Sequence, residues 1–128
     1  SSANPLPWAF NNLLQDWPGW LDDASVEILS VQCYRYSESA YLNTINEVLH
    51  YFNSHGDGNL HRLVPGIILQ GSSGLTDADL LAAKLLINRS KGITGEAFFY
   101  DSPLFDERIN RVIRAFYPGE AIFPDLIP

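Results

Sequence analysis

The sequence predicts an α/β fold in which parallel (β/α) units form a half or part of a TIM-type barrel, as one domain over residues 1–128. Three strand-like segments alternate with helical patterns along the chain, which is typical of βαβ units in a parallel sheet. These strands carry apolar residues on both faces, as in a sheet that is covered on both sides. Three strands are few for a free-standing α/β domain, so only part of a larger barrel is predicted.

The predicted strands are VEILSVQCY at 26–34, VPGIILQ at 64–70 and ITGEAFFY at 93–100. The first has apolar side chains on both parities. The second is short and ends at the flexible turn GSSG. The third is aromatic near its end and stops at a carboxylate, Asp101, where the chain leaves the predicted core.

Four helices are predicted, at about 8–16, 38–53, 76–91 and 105–116. Helical spacing predicts one buried stripe in each of the last three, which together contain Tyr41, Ile45, Val48, Leu49, Phe52, Ala78, Leu81, Ala82, Leu85, Ile109, Val112, Ile113 and Phe116. Pro18 and Gly19 are expected to break the chain after the first helix, and Thr76 with Asp79 to start the third. A turn-rich segment at 1–7 and an extended tail with three prolines flank these elements.

Composition restricts the function. The chain is 46% hydrophobic and 12% aromatic, which is ample for a packed core. Its net charge of −7 disfavours a nucleic-acid or anionic-membrane partner, because phosphate binding needs a basic face. The sequence contains no run of about 18 apolar residues, so no membrane span is predicted.

The remaining composition argues against several kinds of site. The single cysteine, Cys33, excludes an internal disulfide framework. His50, His55 and His61 match no standard zinc spacing, so neither a metal nor a cofactor is expected. The absence of methionine indicates that residue 1 arose by processing, by cloning or by excision from a longer protein.

All three predicted strands end in polar side chains. In parallel α/β proteins, binding and catalytic sites lie at these C-terminal strand ends. The polar side chains are Gln32, Tyr34, Arg35, Gln70, Tyr100 and Asp101. Strand parity predicts which side chains of each strand face inward. They are Ser30, Gln32 and Tyr34 in the first strand; Gly66, Ile68 and Gln70 in the second; and Gly95, Ala97, Phe99 and Asp101 in the third. Glu96 then points toward the helix layer and is a poorer catalytic candidate.

Each of these residues also has a structural interpretation. Asp101 before Ser102-Pro103 fits a turn or helix cap, and Gln32 could satisfy buried backbone groups. Tyr34 could be a core residue whose hydroxyl is solvated. Arg35 could be a surface charge or the partner that holds a carboxylate in the site. Tryptophans at 8, 17 and 20 could stack on sugar rings or cover the side of the barrel.

Five blocks occur in an order that resembles glycosyl-hydrolase-like family 10: SSANP, LLQDWPGW, VQCYRYSESAYLNTIN, VPGIILQG and GITGEAFFYDSPL. The resemblance covers nearly the whole chain and corresponds to the C-terminal half of the family's barrel, from the end of the fifth strand through the eighth. It implies a hydrolase-like (β/α)8 fold acting on glycan, with bacterial cell-wall strands a substrate class of some relatives. It also favours a periplasmic or extracellular location.

The resemblance assigns Asn4, Gln32, Tyr34, Arg35 and Asp101 to a substrate cleft. In the full barrel Asp101 would be an acid/base or substrate-orienting carboxylate whose charge Arg35 and Tyr34 tune. Substrate-binding roles are predicted for Asn4, Gln32, Gln70, Tyr100 and Trp17. The family's usual Glu is the shorter Asp101 here, and any carboxylate of the other barrel half is absent, so this chain could bind sugar without cleaving it.

Two alternatives belong to other classes of protein. A non-catalytic half-barrel would expose strand edges and apolar faces, and would pair with itself as a homo-oligomer or with an N-terminal barrel half. A flavodoxin-like small-molecule binder is disfavoured, because GSSG lacks the lysine of a phosphate loop.

Overall fold

The computed structural model describes residues 8–122. The predicted turn at 1–7, which includes Asn4, and the end of the proline-containing tail lie outside the described residues. Five α-helices occur in this part of the chain: α1 Trp8–Leu13, α2 Trp17–Asp22, α3 Glu38–Phe52, α4 Ala78–Ser90 and α5 Glu107–Phe116. Two 3-10 turns lie at Leu60–Arg62 and Ser102–Phe105.

The strands are very short. β1 (Gly66–Ile68) pairs in parallel with β4 (Ala97–Phe99), and β2 (Gln70–Gly71) pairs antiparallel with β3 (Gly74–Leu75). The segment predicted as the first strand contributes only two isolated parallel bridges, Leu29–Leu63 and Gln32–Gly66. Within residues 8–122, regular strand pairing is limited to these two small sheets.

The predicted half or part of a TIM-type barrel is therefore wrong. The structure is a small mixed fold of five helices with two two-stranded sheets. Parity and alternation predicted which segments are extended, but they did not predict how much regular pairing each would form. A barrel needs strands long enough to tilt and to stagger around a closed axis, whereas β1 and β4 have three residues each.

Helix ends follow local capping chemistry. Asp77 caps α4 by accepting hydrogen bonds from Asp79 N and Leu80 N at 2.9 and 3.2 Å. Thr76, the predicted start, instead donates its hydroxyl to the carbonyl of Ile68 at 2.9 Å. Pro18 does not break the chain, because it lies in the first turn of α2, where a missing amide hydrogen costs little.

The core lies between the helices and the parallel segments. The predicted stripe of α3 is confirmed at four positions that are at most 1% exposed: Tyr41, Ile45, Val48 and Phe52. Leu81 and Leu85 of α4, Ile109 of α5, and Ile67 of β1 are also fully buried. At the carboxyl end of β4, Phe99 stacks on Tyr34.

Candidate functional site

Three aromatic rings meet where the parallel segments end. Tyr34 stacks on Phe99, with ring centroids 5.7 Å apart and planes 28° apart. Phe99 meets Tyr100 edge-on, at 5.6 Å and 75°. Phe99 is 52% exposed and Tyr100 is 39% exposed, although rings of this size usually bury most of their area. We call Tyr34, Phe99 and Tyr100 the strand-end aromatic face.

The backbone register explains why Tyr34 and Phe99 meet. Gln32 bridges to Gly66, and Gly66 is the partner of Ala97. Tyr34 and Phe99 each lie two positions further along these paired segments, so their side chains point to the same face. A side-chain β-carbon on Gly66 would lie 3.3 Å from the carbonyl oxygen of Val31 and 3.6 Å from the Tyr34 ring. Glycine at this position therefore leaves room for the Tyr34 ring.

A fourth ring, Tyr36, lies beside the hairpin of β2 and β3 and is 63% exposed. A β-carbon on Gly71 would approach the Tyr36 hydroxyl to 3.0 Å, so a side chain there would displace the ring. The predicted substrate-binding residue Gln70 precedes this glycine and is exposed. Sequence analysis did not select Tyr36 and gave Phe99 no role. The parity that grouped Phe99 with Asp101 was the available signal.

Asp101 is exposed and directly follows the aromatic face. Its carbonyl accepts a hydrogen bond from Leu104 N at 2.8 Å, but its carboxylate makes no capping bond to the 3-10 turn. The capping interpretation therefore does not describe this side chain. Asp106 caps the next helix instead, by accepting from Arg108 N at 3.0 Å.

Tyr34 and Arg35 are linked through the backbone. Arg35 Nη1 donates to the carbonyl of Tyr34 at 3.2 Å, and the carbonyl of Arg35 accepts from Lys84 Nζ at 2.6 Å. Burial raises the pKa of Tyr34 above its ordinary value. The Tyr34 hydroxyl is therefore a hydrogen-bond donor at neutral pH and is poorly suited to act as a base.

The predicted residues Gln32 and Trp17 line a separate pocket of about 320 Å³ beside α1 and α2. Trp17 is 4% exposed and contacts Tyr51 edge-on at 6.2 Å, so protein covers its ring faces. In this conformation Trp17 cannot stack on a sugar, whereas Trp20, on the same pocket, is 38% exposed.

Glu96, at the start of the β4 region, has a side chain with no exposed surface. Arg89 binds it bidentately at 2.5 and 3.1 Å, Asn88 Nδ2 donates to it at 3.0 Å, and Tyr117 donates its hydroxyl. The Tyr41 hydroxyl extends this network by donating to Asn88 Oδ1 at 3.0 Å. Glu96 therefore points to the helix layer as the sequence predicted, and its carboxylate is fully engaged.

Within residues 8–122, no helix is both long enough and apolar enough to cross a bilayer. No group of three or more His, Cys, Asp or Glu side chains in the same range could hold a metal ion.

Comparisons with protein-family models, curated proteins and solved structures give no match to this chain. The resemblance to glycosyl-hydrolase-like family 10 therefore stays a prediction from the sequence.

Proposed function

We propose that this chain binds a glycan on the strand-end aromatic face and does not cleave it alone. The observation that carries the proposal is the exposure of Phe99 and Tyr100 next to the stacked Tyr34 ring. The apolar C–H face of a sugar ring packs on such surfaces, while its hydroxyls need hydrogen-bonding groups at the rim.

The rim supplies those groups. Asp101 offers carboxylate oxygens that accept from sugar hydroxyls, and the Tyr34 hydroxyl stays protonated. Gln70 is exposed at the start of β2 and adds an amide that both donates and accepts. An uncharged, polyhydroxylated ligand also suits a chain with a net charge of −7, which repels polyanions.

Binding without cleavage follows from the two carboxylates of this region. Glycoside hydrolysis canonically uses a pair of carboxyl groups that flank the scissile bond. Asp101 is exposed, but Glu96 is buried and bound by Arg89, Asn88 and Tyr117. Glu96 therefore cannot act as the second group without breaking this network.

Isothermal titration with chitohexaose and with soluble peptidoglycan strands tests the proposal. Phe99→Ala should weaken binding about tenfold, which is about 1.4 kcal/mol, because it removes the central ring. Phe10→Ala is the matched control, since Phe10 is similarly exposed at 48% but lies on α1. No binding to either glycan, or equal losses in the two variants, would contradict the proposal.

Cleavage is measured in the same samples. We expect no release of new reducing ends from either glycan. Release that disappears in Asp101→Asn would instead identify Asp101 as the catalytic acid/base that the family resemblance implies.

A further inference from the structure

Another exposed ring adjoins the strand-end aromatic face. Tyr36 is 63% exposed and lies beside the hairpin of β2 and β3. A β-carbon on Gly71 would lie 3.0 Å from the Tyr36 hydroxyl and 3.3 Å from a carbon of its ring. The same β-carbon would lie 3.6 Å from the Cδ1 atom of Ile68. The Tyr36 ring and the Ile68 side chain therefore both lie against Gly71.

Ile68 connects Tyr36 to the strand-end aromatic face. In the parallel register Ile68 is the partner of Phe99, so the two side chains point to the same side of the sheet. Gly66 lies two positions before Ile68 and faces the same side, where a β-carbon on it would lie 3.6 Å from the Tyr34 ring. Ile68 itself is only 8% exposed. The strand-end aromatic face therefore continues across Ile68 to Tyr36.

Glycine at position 71 leaves space for the Tyr36 ring. The backbone angle φ of Gly71 lies outside the left-handed region, so the backbone conformation does not require a glycine there. A side chain at this position would meet the Tyr36 ring at 3.0 to 3.3 Å, which is closer than ordinary van der Waals contact. Gly71 therefore allows the Tyr36 ring to lie beside the hairpin, as Gly66 does for the Tyr34 ring.

The Tyr36 side chain has the chemistry of a sugar-binding group. Its hydroxyl makes no hydrogen bond within residues 8–122, whereas the hydroxyls of Tyr41 and Tyr117 donate to Asn88 and Glu96. A phenolic hydroxyl both donates and accepts hydrogen bonds, and an exposed aromatic ring packs on apolar surfaces such as the C–H face of a sugar. Tyr36 offers both interactions to a ligand.

We propose that Tyr36 forms a second sugar subsite, so that the ligand of this chain is an uncharged oligosaccharide. This inference rests on the proposed binding of glycan at the strand-end aromatic face. One sugar packs on Phe99, and a following sugar of the same chain packs on Tyr36. The second contact is intramolecular once the first has formed, so it raises the affinity for a sugar chain and leaves the affinity for a single sugar unchanged.

Titration of the whole chain with N-acetylglucosamine and with chitohexaose, followed by amide chemical shifts, tests the proposal. We expect chitohexaose to bind about thirtyfold more tightly than the single sugar, which exceeds the statistical advantage of a longer chain. Tyr36→Ala should weaken chitohexaose binding about fivefold and leave the affinity for the single sugar unchanged. Phe99→Ala should weaken the binding of both ligands, because the first sugar packs there.

Two further variants test the Tyr36 ring itself. Tyr36→Phe keeps the ring and should retain most of the affinity for chitohexaose. Gly71→Ala alters no aromatic residue, but its β-carbon displaces the Tyr36 ring, so it should reproduce the loss seen in Tyr36→Ala. Phe10→Ala removes an exposed ring on α1 and is the control that should change neither affinity.

Failure of the second subsite differs from failure of glycan binding. Chitohexaose binding that Phe99→Ala weakens and Tyr36→Ala leaves unchanged would overturn the second subsite alone. Equal losses for the single sugar and for chitohexaose in Tyr36→Ala would also overturn it, because Tyr36 would then contact the first sugar. No binding of either ligand would overturn both the subsite and the proposed function.

Discussion

Glu96 and Asp101 are two carboxylates at opposite ends of the β4 region, and their surroundings differ in every respect. Glu96 has no exposed side-chain surface and binds Arg89, Asn88 and Tyr117. Asp101 is exposed, lies beside exposed aromatic rings and makes no capping bond. Of these two carboxylates, the one with several hydrogen-bond partners is built into the fold, while the other is open to solvent.

The largest expected effect comes from breaking the Glu96 network. Arg89→Met removes the bidentate partner and leaves a buried carboxylate, which should lower the free energy of unfolding by roughly 3 kcal/mol. Arg111→Met is the control, because its ion pair with Glu107 is exposed on both sides and should contribute at most about 0.5 kcal/mol. Urea denaturation measures both, and equal losses would show that Glu96 is not held as described.

A second effect of similar size depends on pH. Lys84 is fully buried on α4, and burial lowers its pKa from 10.5 to about 8. Between these two pH values the unfolded chain holds a proton that folded Lys84 has lost, so this lysine makes the folded state more stable as pH rises. The gain over this window is roughly 3 kcal/mol.

Buried groups with raised pKa values oppose that gain. Burial raises the pKa of Cys33 from 9.0 to about 12. The contribution of this thiol to the free energy of unfolding therefore falls as pH rises above 9. The difference in unfolding free energy between wild type and Lys84→Met isolates the lysine, and it should grow from pH 8 to pH 10.5. A difference that stays flat over this pH range would contradict burial of the ammonium group.

A smaller effect is expected at Tyr41. Its hydroxyl donates to Asn88 Oδ1 at 3.0 Å inside the core, and Tyr41→Phe leaves that oxygen without this donor. We expect a loss of about 1–2 kcal/mol in unfolding free energy. The control is Tyr51→Phe, on the same helix but only half-buried. If Tyr41→Phe lost no more unfolding free energy than Tyr51→Phe, the buried hydrogen bond to Asn88 would be contradicted.

The smallest effect on stability is expected at the other carboxylate. Asp101→Asn should change the unfolding free energy by no more than about 0.5 kcal/mol, as is usual for surface positions. The same variant should weaken glycan binding, because the amide replaces one acceptor oxygen by a donor. A strongly destabilised Asp101→Asn would mean that the two carboxylates do not differ as described.

The sequence predicted the helices better than the strands. Spacing of apolar residues at i, i+4, i+7 and i+11 identified the buried face of α3, because one stripe of a helix is enough to define its packing. A three-residue strand carries too little pattern to show its extent. The segment at 26–34 therefore looked like a full strand, although it forms only two isolated bridges.

The candidate site was predicted in part. The predicted strand boundaries put Tyr34, Tyr100 and Asp101 at strand ends, and parity put Tyr34 and Asp101 on the inward face, because two-residue periodicity is a local property that the sequence carries directly. Burial of Lys84 and Asn88 was not predicted, since their partners are distant in sequence: Lys84 donates to the carbonyl of Arg35 at 2.6 Å. The coverage of Trp17 by Tyr51 is a long-range contact of the same kind.

Mapping of amide chemical shifts during titration with chitohexaose is the most direct test of glycan binding at the strand-end aromatic face. We expect shifts to concentrate at Tyr34, Phe99, Tyr100 and Asp101, while Glu96 and α4 stay unchanged. Shifts centred on α1 and α2, or on the Glu96 network, would contradict it. So would the absence of any shift at saturating glycan.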